Sequence, residues 1–231
     1  MKMFKHLLIQ FALGILAGLA IGLGGFLFVL LKTFVPGEYG KILSSIIFAV
    51  GLFLVCFFGL SLYTGKIGLV FEEKKELKFY LSLPVMIIGN AIGAIGLGFI
   101  CYLIFKDTDL FTTAVNATTS RTAQFDDIKS FEPFLATLIK GAACGLCVYF
   151  AVKSYAFGKI KNGGVILLVF FVFLFVYFGF EHCIANMFYF SMANMWTAGA
   201  FINIGLVILA NSIGTIPGVF CLKLAQKVVN K

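Results

Sequence analysis

Six stretches of this chain are apolar for the length of a bilayer crossing: near 7 to 31, 42 to 71, 79 to 105, 131 to 153, 163 to 191 and 199 to 225. A spanning helix needs about 20 residues. With 61% apolar residues, 29 phenylalanines and 12% charged residues among 231, a water-soluble domain is excluded. The expected fold is all-α: one polytopic membrane domain over 1-231, in lipid contact, with six transmembrane helices. Lys2 and Lys5 precede the first run as in a signal peptide, but the run is too long and lacks a small-x-small cleavage site.

The charged ends of the runs set the orientation. With six crossings, Lys2, Lys5, Lys74, Lys75, Lys78, Lys153, Lys159, Lys161, Lys223, Lys227 and Lys231 share one side. Lys32, Lys41, Lys106, Arg121 and Lys129 fall on the other. The positive-inside rule then places both termini in the cytoplasm of a cell whose inner (plasma) membrane holds the protein. The polar stretch from 106 to 130 reads as an outer loop that caps a vestibule and forms no domain, and no nucleic-acid partner is expected. The six cysteines lie within the apolar runs and read as small core side chains, including the Cys144 and Cys147 pair.

Self-similarity divides the chain. "IIGNAIGAIGLGF" (87 to 99) returns as "ILANSIGTIPGVF" (208 to 220), with Asn90 opposite Asn211. Three runs lie in each copy, about 1-105 and 131-231. An odd number of crossings turns the second copy over, so the repeats are inverted, as in many transporters. The same offset of 121 sets "GLSLYTGKIG" (59 to 68) against "FEHCIANMFY" (180 to 189) and aligns Ser61 with His182. Both segments interrupt apolar runs with polar residues and glycines, so the second and fifth helices are expected to break there and line a cavity.

The ionisable residues within the predicted slab are Lys66, Lys140, Glu181 and His182. A charge at a helix centre costs roughly 2.5–3.5 kcal/mol. Lys66 and Lys140 can reach an interface with their long stems. Glu181 suits a structural role, accepting freed backbone amides or pairing with a cation. His182, where two breaks meet, can exchange a proton near neutrality because its reference pKa is about 6.5. No His or carboxylate partner stands at metal spacing, so no metal is expected.

"GFEHCIANMF", "SLYTGK" and the lysine in "DDIKSF" resemble the formate/nitrite transporter family across essentially the whole chain. The resemblance implies an aquaporin-like fold, a homopentamer with one pore in each protomer, no cofactor and no enzymatic activity. It makes His182 the central pore histidine and Thr64 its hydrogen-bonding partner. Lys129 becomes the vestibule lysine, with Glu181 and Asn186 flanking the histidine. Phe48, Leu52, Leu62, Tyr63, Val148 and Phe175 would form the apolar constrictions, which reject hydrated ions by dewetting.

The expected substrate is a small monovalent weak-acid anion: hydrosulfide, formate or nitrite, with possible proton coupling through His182. Many members carry Cys-Asn where this chain has Cys144-Gly145, and Asn where it has Lys66. Loss of a polar pore group at Gly145 leans the expectation toward hydrosulfide. The alternative is an aquaporin-like channel for neutral small solutes, against which stands the absence of paired Asn-Pro-Ala boxes. An intramembrane enzyme lacks the supporting constellation around Ser61 and His182.

Overall fold

A computed structural model describes residues 1–125, 131–157 and 163–229. All regular structure among them is helical. The first apolar run forms α1 (Lys2–Phe34). α2 (Gly37–Ile47) and α3 (Ala49–Phe57) continue through Phe48 as one long apolar segment. After a non-helical gap come the short α4 (Tyr63–Lys66) and α5 (Leu69–Glu72). α6 (Leu77–Phe105) completes the first half.

The polar connection folds differently from its expectation as a loop. It forms α7 (Asp109–Thr122), followed by a single 3-10 turn at Ala123–Phe125. Leu110, Ala114, Ala117, Thr118 and Thr122 are its buried face, the i, i+4, i+7, i+8 stripe of an amphipathic helix. That stripe packs against the second half, and Thr118 donates a hydrogen bond to the Tyr189 carbonyl.

The second half repeats the first. α8 (Glu132–Phe157) takes the place of α1, and α9 (Gly163–Tyr177) that of α2 and α3. α10 (Cys183–Met192) follows a second gap and is buried all round. α11 (Ala198–Ile213) and α12 (Thr215–Val229) close the chain. Among the described residues five segments are long and apolar enough to span a membrane. The apolar run from 163 to 191, where the fifth helix is expected to break, forms the two shorter apolar helices α9 and α10.

Close packing of α1 on α6 and of α8 on α11 holds each half together. The helix backbones approach so nearly that a Cβ on Gly18 would lie 2.1 Å from the Asn90 carbonyl oxygen. The equivalent Cβ on Gly145 would lie 2.2 Å from that of Asn211. Small residues permit such contact where lipid supplies no hydrophobic force between helices. This placement corrects the expectation for Gly145: it faces the α11 backbone, so its lack of a side chain serves packing and removes no group from a pore.

Candidate anion pathway

Both helix interruptions arise from the same local chemistry. α3 ends at Gly59, whose φ is +63, and α9 at Gly179, whose φ is +68. Gly59 N–H donates to the Cys56 carbonyl and Leu60 N–H to Val55; Gly179 and Phe180 do the same to Val176 and Phe175. This is the Schellman pattern, in which a left-handed glycine lets the last carbonyls of a helix be satisfied without a further turn. The two motifs stand 120 residues apart, Gly59 to Gly179. The register at the breaks is therefore one residue from that expected, and Leu62, not Ser61, is the counterpart of His182.

Beyond each glycine the chain runs extended and is held by an asparagine. Asn90 accepts from the Tyr63 N–H at 2.8 Å and donates to the carbonyls of Gly14 and Ser61 at 2.9 and 2.8 Å. Asn211 accepts from the Cys183 N–H at 3.0 Å and donates to Gly141 and Glu181 carbonyls, both at 2.8 Å. Both asparagines are fully buried. Unpaired backbone groups at this depth cost several kcal/mol each, and each side chain pairs two of them, the amide and carbonyl of the extended segment, while tying it to a helix carbonyl.

The extended segments bring Thr64 and His182 together. Thr64 Oγ1 lies 2.9 Å from His182 Nε2. His182 Nδ1 accepts the Ala185 N–H at 3.2 Å and so caps α10. With Nδ1 occupied as acceptor, the neutral ring carries its proton on Nε2 and donates it to Thr64. Phe175 stacks on the imidazole with ring centres 6.0 Å apart, and Phe48 meets Phe175 edge-on at 5.7 Å.

His182, Phe48, Phe175 and Asn186 line a pocket of about 30 Å³, room for about two water-sized groups. Phe28, Arg121 and Val176 line both this pocket and a larger cavity of about 660 Å³ at the end of the molecule where α7 lies. These three residues form the neck between them. Lys32, Lys41, Lys140 and Arg121 line the larger cavity, against Glu38 and Glu181. Among the described residues cations outnumber carboxylates there, an arrangement that raises the local concentration of small anions.

A buried polar network borders the neck. Arg121 Nε lies 3.3 Å from Glu181 Oε2, and the guanidinium sits over the Tyr189 ring at 5.1 Å. Asn186 Nδ2 donates to Glu181 Oε2 at 2.6 Å and to Asn203 Oδ1 at 2.9 Å. Glu181 is thus paired and hydrogen-bonded, as a carboxylate 4% exposed must be.

Of the residues expected in the pathway, Thr64, His182, Asn186, Phe48 and Phe175 come together, with Glu181 at the edge. Leu52, Leu62 and Val148 are buried in the adjoining apolar core. The Tyr63 ring packs instead with Ile67, Leu83 and Met86, and its hydroxyl is 2.9 Å from Ser212 Oγ. Lys129 lies outside the described residues. Sequence reasoning missed Arg121, Phe28 and Asn203. Arg121 could have been found from the apolar stripe of 110 to 122, which carries it into the neck. Among the described residues no group of His, Cys, Asp or Glu could hold a metal ion, and the six cysteines are unpaired.

Two interrupted apolar helices that meet around a buried polar pair, reached from a cationic cavity, define a polytopic membrane transport protein built on a repeat. The family model "Formate/nitrite transporter" matches residues 1–225, and the chain belongs to that family. It is a multi-pass membrane transport protein, not an enzyme. It is 33% identical over 215 residues to the "Uncharacterized transporter YrhG" of Bacillus subtilis, an alignment covering 87% of this chain and 79% of the relative. To the "Formate channel FocA" of Escherichia coli K12 it is 28% identical over 214 residues, covering 85% and 73%. Its fold matches a solved "Pentameric formate channel with formate bound" with a TM-score of 0.75 at 24% identity, covering 98% of this chain and 99% of that one.

Proposed function

We propose that this protein is a channel for small monovalent weak-acid anions, with formate the leading substrate and one pore in each protomer of a homopentamer. The observation that carries the reading is the buried Thr64–His182 pair, at 2.9 Å, behind an apolar ring and a cation-lined cavity. FocA and the solved pentameric channel are named for formate. The central pocket is on the scale of the smallest anions. The lean toward hydrosulfide loses its basis, since Gly145 packs on α11. Nitrite and hydrosulfide are the next candidates.

In this reading Lys32, Lys41 and Arg121 concentrate the anion, with Lys129 contributing as the resemblance implies. The anion loses water at the Phe28 and Phe175 ring and gains the His182 Nε2–H and the Thr64 hydroxyl. Leu52, Leu62 and Val148 form the further apolar barrier, where a bare charge is costly. A weak acid that crosses with its proton avoids most of that cost, and His182 is the group assigned to the proton coupling. Both termini face the cytoplasm of a plasma membrane.

The test is flux into liposomes of the purified protein, comparing formate, nitrite, hydrosulfide, chloride and glycerol at several pH values, with His182→Asn alongside. Formate should pass faster than chloride, and His182→Asn should abolish its flux or its pH dependence. Passage of glycerol without any anion would overturn the reading in favour of a neutral-solute channel.

A further inference from the structure

A cavity of about 150 Å³ lies beneath Leu62, and it is the internal counterpart of the His182 pocket. Six residues that line it are Val55, Cys56, Leu60, Leu62, Gly65 and Lys66. Each stands 120 positions before a residue lining the central pocket, Leu62 before His182 and Lys66 before Asn186. The hydrogen bonds of the two breaks keep the same spacing. The agreement extends to the neighbouring helices. Leu13 and Lys140 accept from the first extended residue of each break, Ser61 and Glu181. Leu13 and Lys140 stand 127 residues apart, and at that spacing Tyr155 in the lower cavity matches Phe28 in the upper neck.

The two pockets differ in charge. The upper one has Asn186, tied to Glu181 and Asn203. At the corresponding position the lower one has the half-buried Lys66, and among the described residues no carboxylate lines it. Among the described residues Lys66 forms no ion pair. The nearest acidic residue along the chain, Glu72, is engaged elsewhere by Lys153 at 2.6 Å and by the Tyr149 hydroxyl at 3.0 Å. That engagement also locates the lower cavity: α5 follows Lys66 directly, and its Phe71 carbonyl accepts from Lys223 of α12. The cavity therefore lies toward the end of the molecule that carries the C-terminal helix, opposite the cationic cavity beside α7.

The Lys66 side chain lines a largely apolar cavity and, among the described residues, meets no counter-charge there, so a small anion is the ligand it favours. We propose that Lys66 and the cavity under Leu62 form a second anion-binding station, on the opposite side of the Thr64–His182 pair from Arg121. The inference rests on the channel reading for the identity of the anion, a small monovalent carboxylate or its equivalent. Leu62 stands between the two stations as His182 stands between the upper pocket and the core. An anion leaving the centre toward the C-terminal end meets a positive charge beyond the apolar barrier, and one entering from that end is captured there first.

The experiment has two arms on the intact protein in liposomes. In the first, acylation of individual lysines by an amine reagent is followed by mass spectrometry, in formate or in gluconate at equal ionic strength. Formate should slow acylation of Lys66 at least threefold and leave the exposed Lys227 unchanged. In the second, Lys66→Gln and Lys66→Arg are compared with the native chain in formate flux from each face. Lys66→Gln should raise the half-saturating concentration five- to tenfold for formate supplied at the C-terminal face, and Lys66→Arg should stay within twofold of native. If the native chain carries formate but Lys66 is neither protected nor needed, the station is overturned and the channel reading stands. If formate protects Lys66 while no anion is carried, the station stands and the channel reading falls. Absence of both protection and flux overturns both.

Discussion

Asn90 and Asn211, fully buried in opposite halves of the chain, make matching sets of three hydrogen bonds, two to the extended segment of the break and one to a glycine carbonyl on the first helix of its half, Gly14 of α1 or Gly141 of α8. Each converts an extended segment, costly in lipid, into a satisfied one. Asn211→Ala would leave the Cys183 amide and the Glu181 carbonyl without this partner, at about 1–3 kcal/mol for each buried group, and remove a second bond from the helical Gly141 carbonyl. The expected result is a loss of several kcal/mol of stability, read as a large drop in melting temperature in detergent. Asn90→Ala should do the same, and melting alongside the native chain would contradict this account.

Gly145 supplies a test between packing and pore chemistry. Gly145→Asn would place its Cβ 2.2 Å from the Asn211 carbonyl oxygen. Overpacking of this kind costs about 1–3 kcal/mol or more, so the substitution should lower yield and melting temperature. Faster nitrite or formate flux from a well-folded Gly145→Asn protein would show instead that the position faces the pore.

Arg121 and Glu181 are coupled at the neck. Arg121→Met leaves the Glu181 carboxylate uncompensated beside the central pocket, 5% exposed at its side chain, where it repels an arriving anion. Formate flux should fall by about tenfold or more, the scale on which charged clefts alter local anion concentration. Adding Glu181→Gln should recover most of the loss. A double variant no better than Arg121→Met would separate the two roles. Stability measured in parallel identifies any contribution from the broken buried pair.

Thr64→Val keeps the shape of the side chain and removes the acceptor for the His182 Nε2–H. A hydrogen bond is worth about 0.5–1.5 kcal/mol net, so formate flux should fall roughly three- to tenfold, while Thr64→Ser remains near native. The pH profile of Thr64→Val should also move, because the His182 proton has lost its partner. An unchanged rate and profile would remove Thr64 from the pathway.

Much of this was legible in the amino-acid pattern because the bilayer leaves few choices. Lengths of apolar run placed the helices, and the repeated Asn-x-Ile-Gly showed two related halves. The match of Asn90 to Asn211 did not fix the register of the breaks, where Leu62 pairs with His182. The two segments differ by one residue between break and asparagine, and only the hydrogen bonds reveal where it falls. α7 was read as a loop because its charge and threonines dominated its composition. Its five-residue buried stripe was present in the same letters. Tyr63 was expected in the constriction by its place in the motif, but a side chain's direction from a four-residue helix is set by Ile67, Leu83 and Met86 around it. Gly145 was read as an omission when it is a requirement of the α8–α11 contact.

The glycine-capped ends of α3 and α9 bear on how the protein is made. α9 has 15 residues, about 22 Å at roughly 1.5 Å per residue, which is short of a hydrocarbon core of about 30 Å. The six residues that terminate it are contiguous, so its end is decided as soon as they leave the ribosome. α9 thus enters the membrane as a fragment of a crossing, and the earlier helices it packs on, α8, α2 and α3, are there to hold it until α10 follows. Biogenesis is then ordered by the chain: the first half must be in place before the second can be threaded.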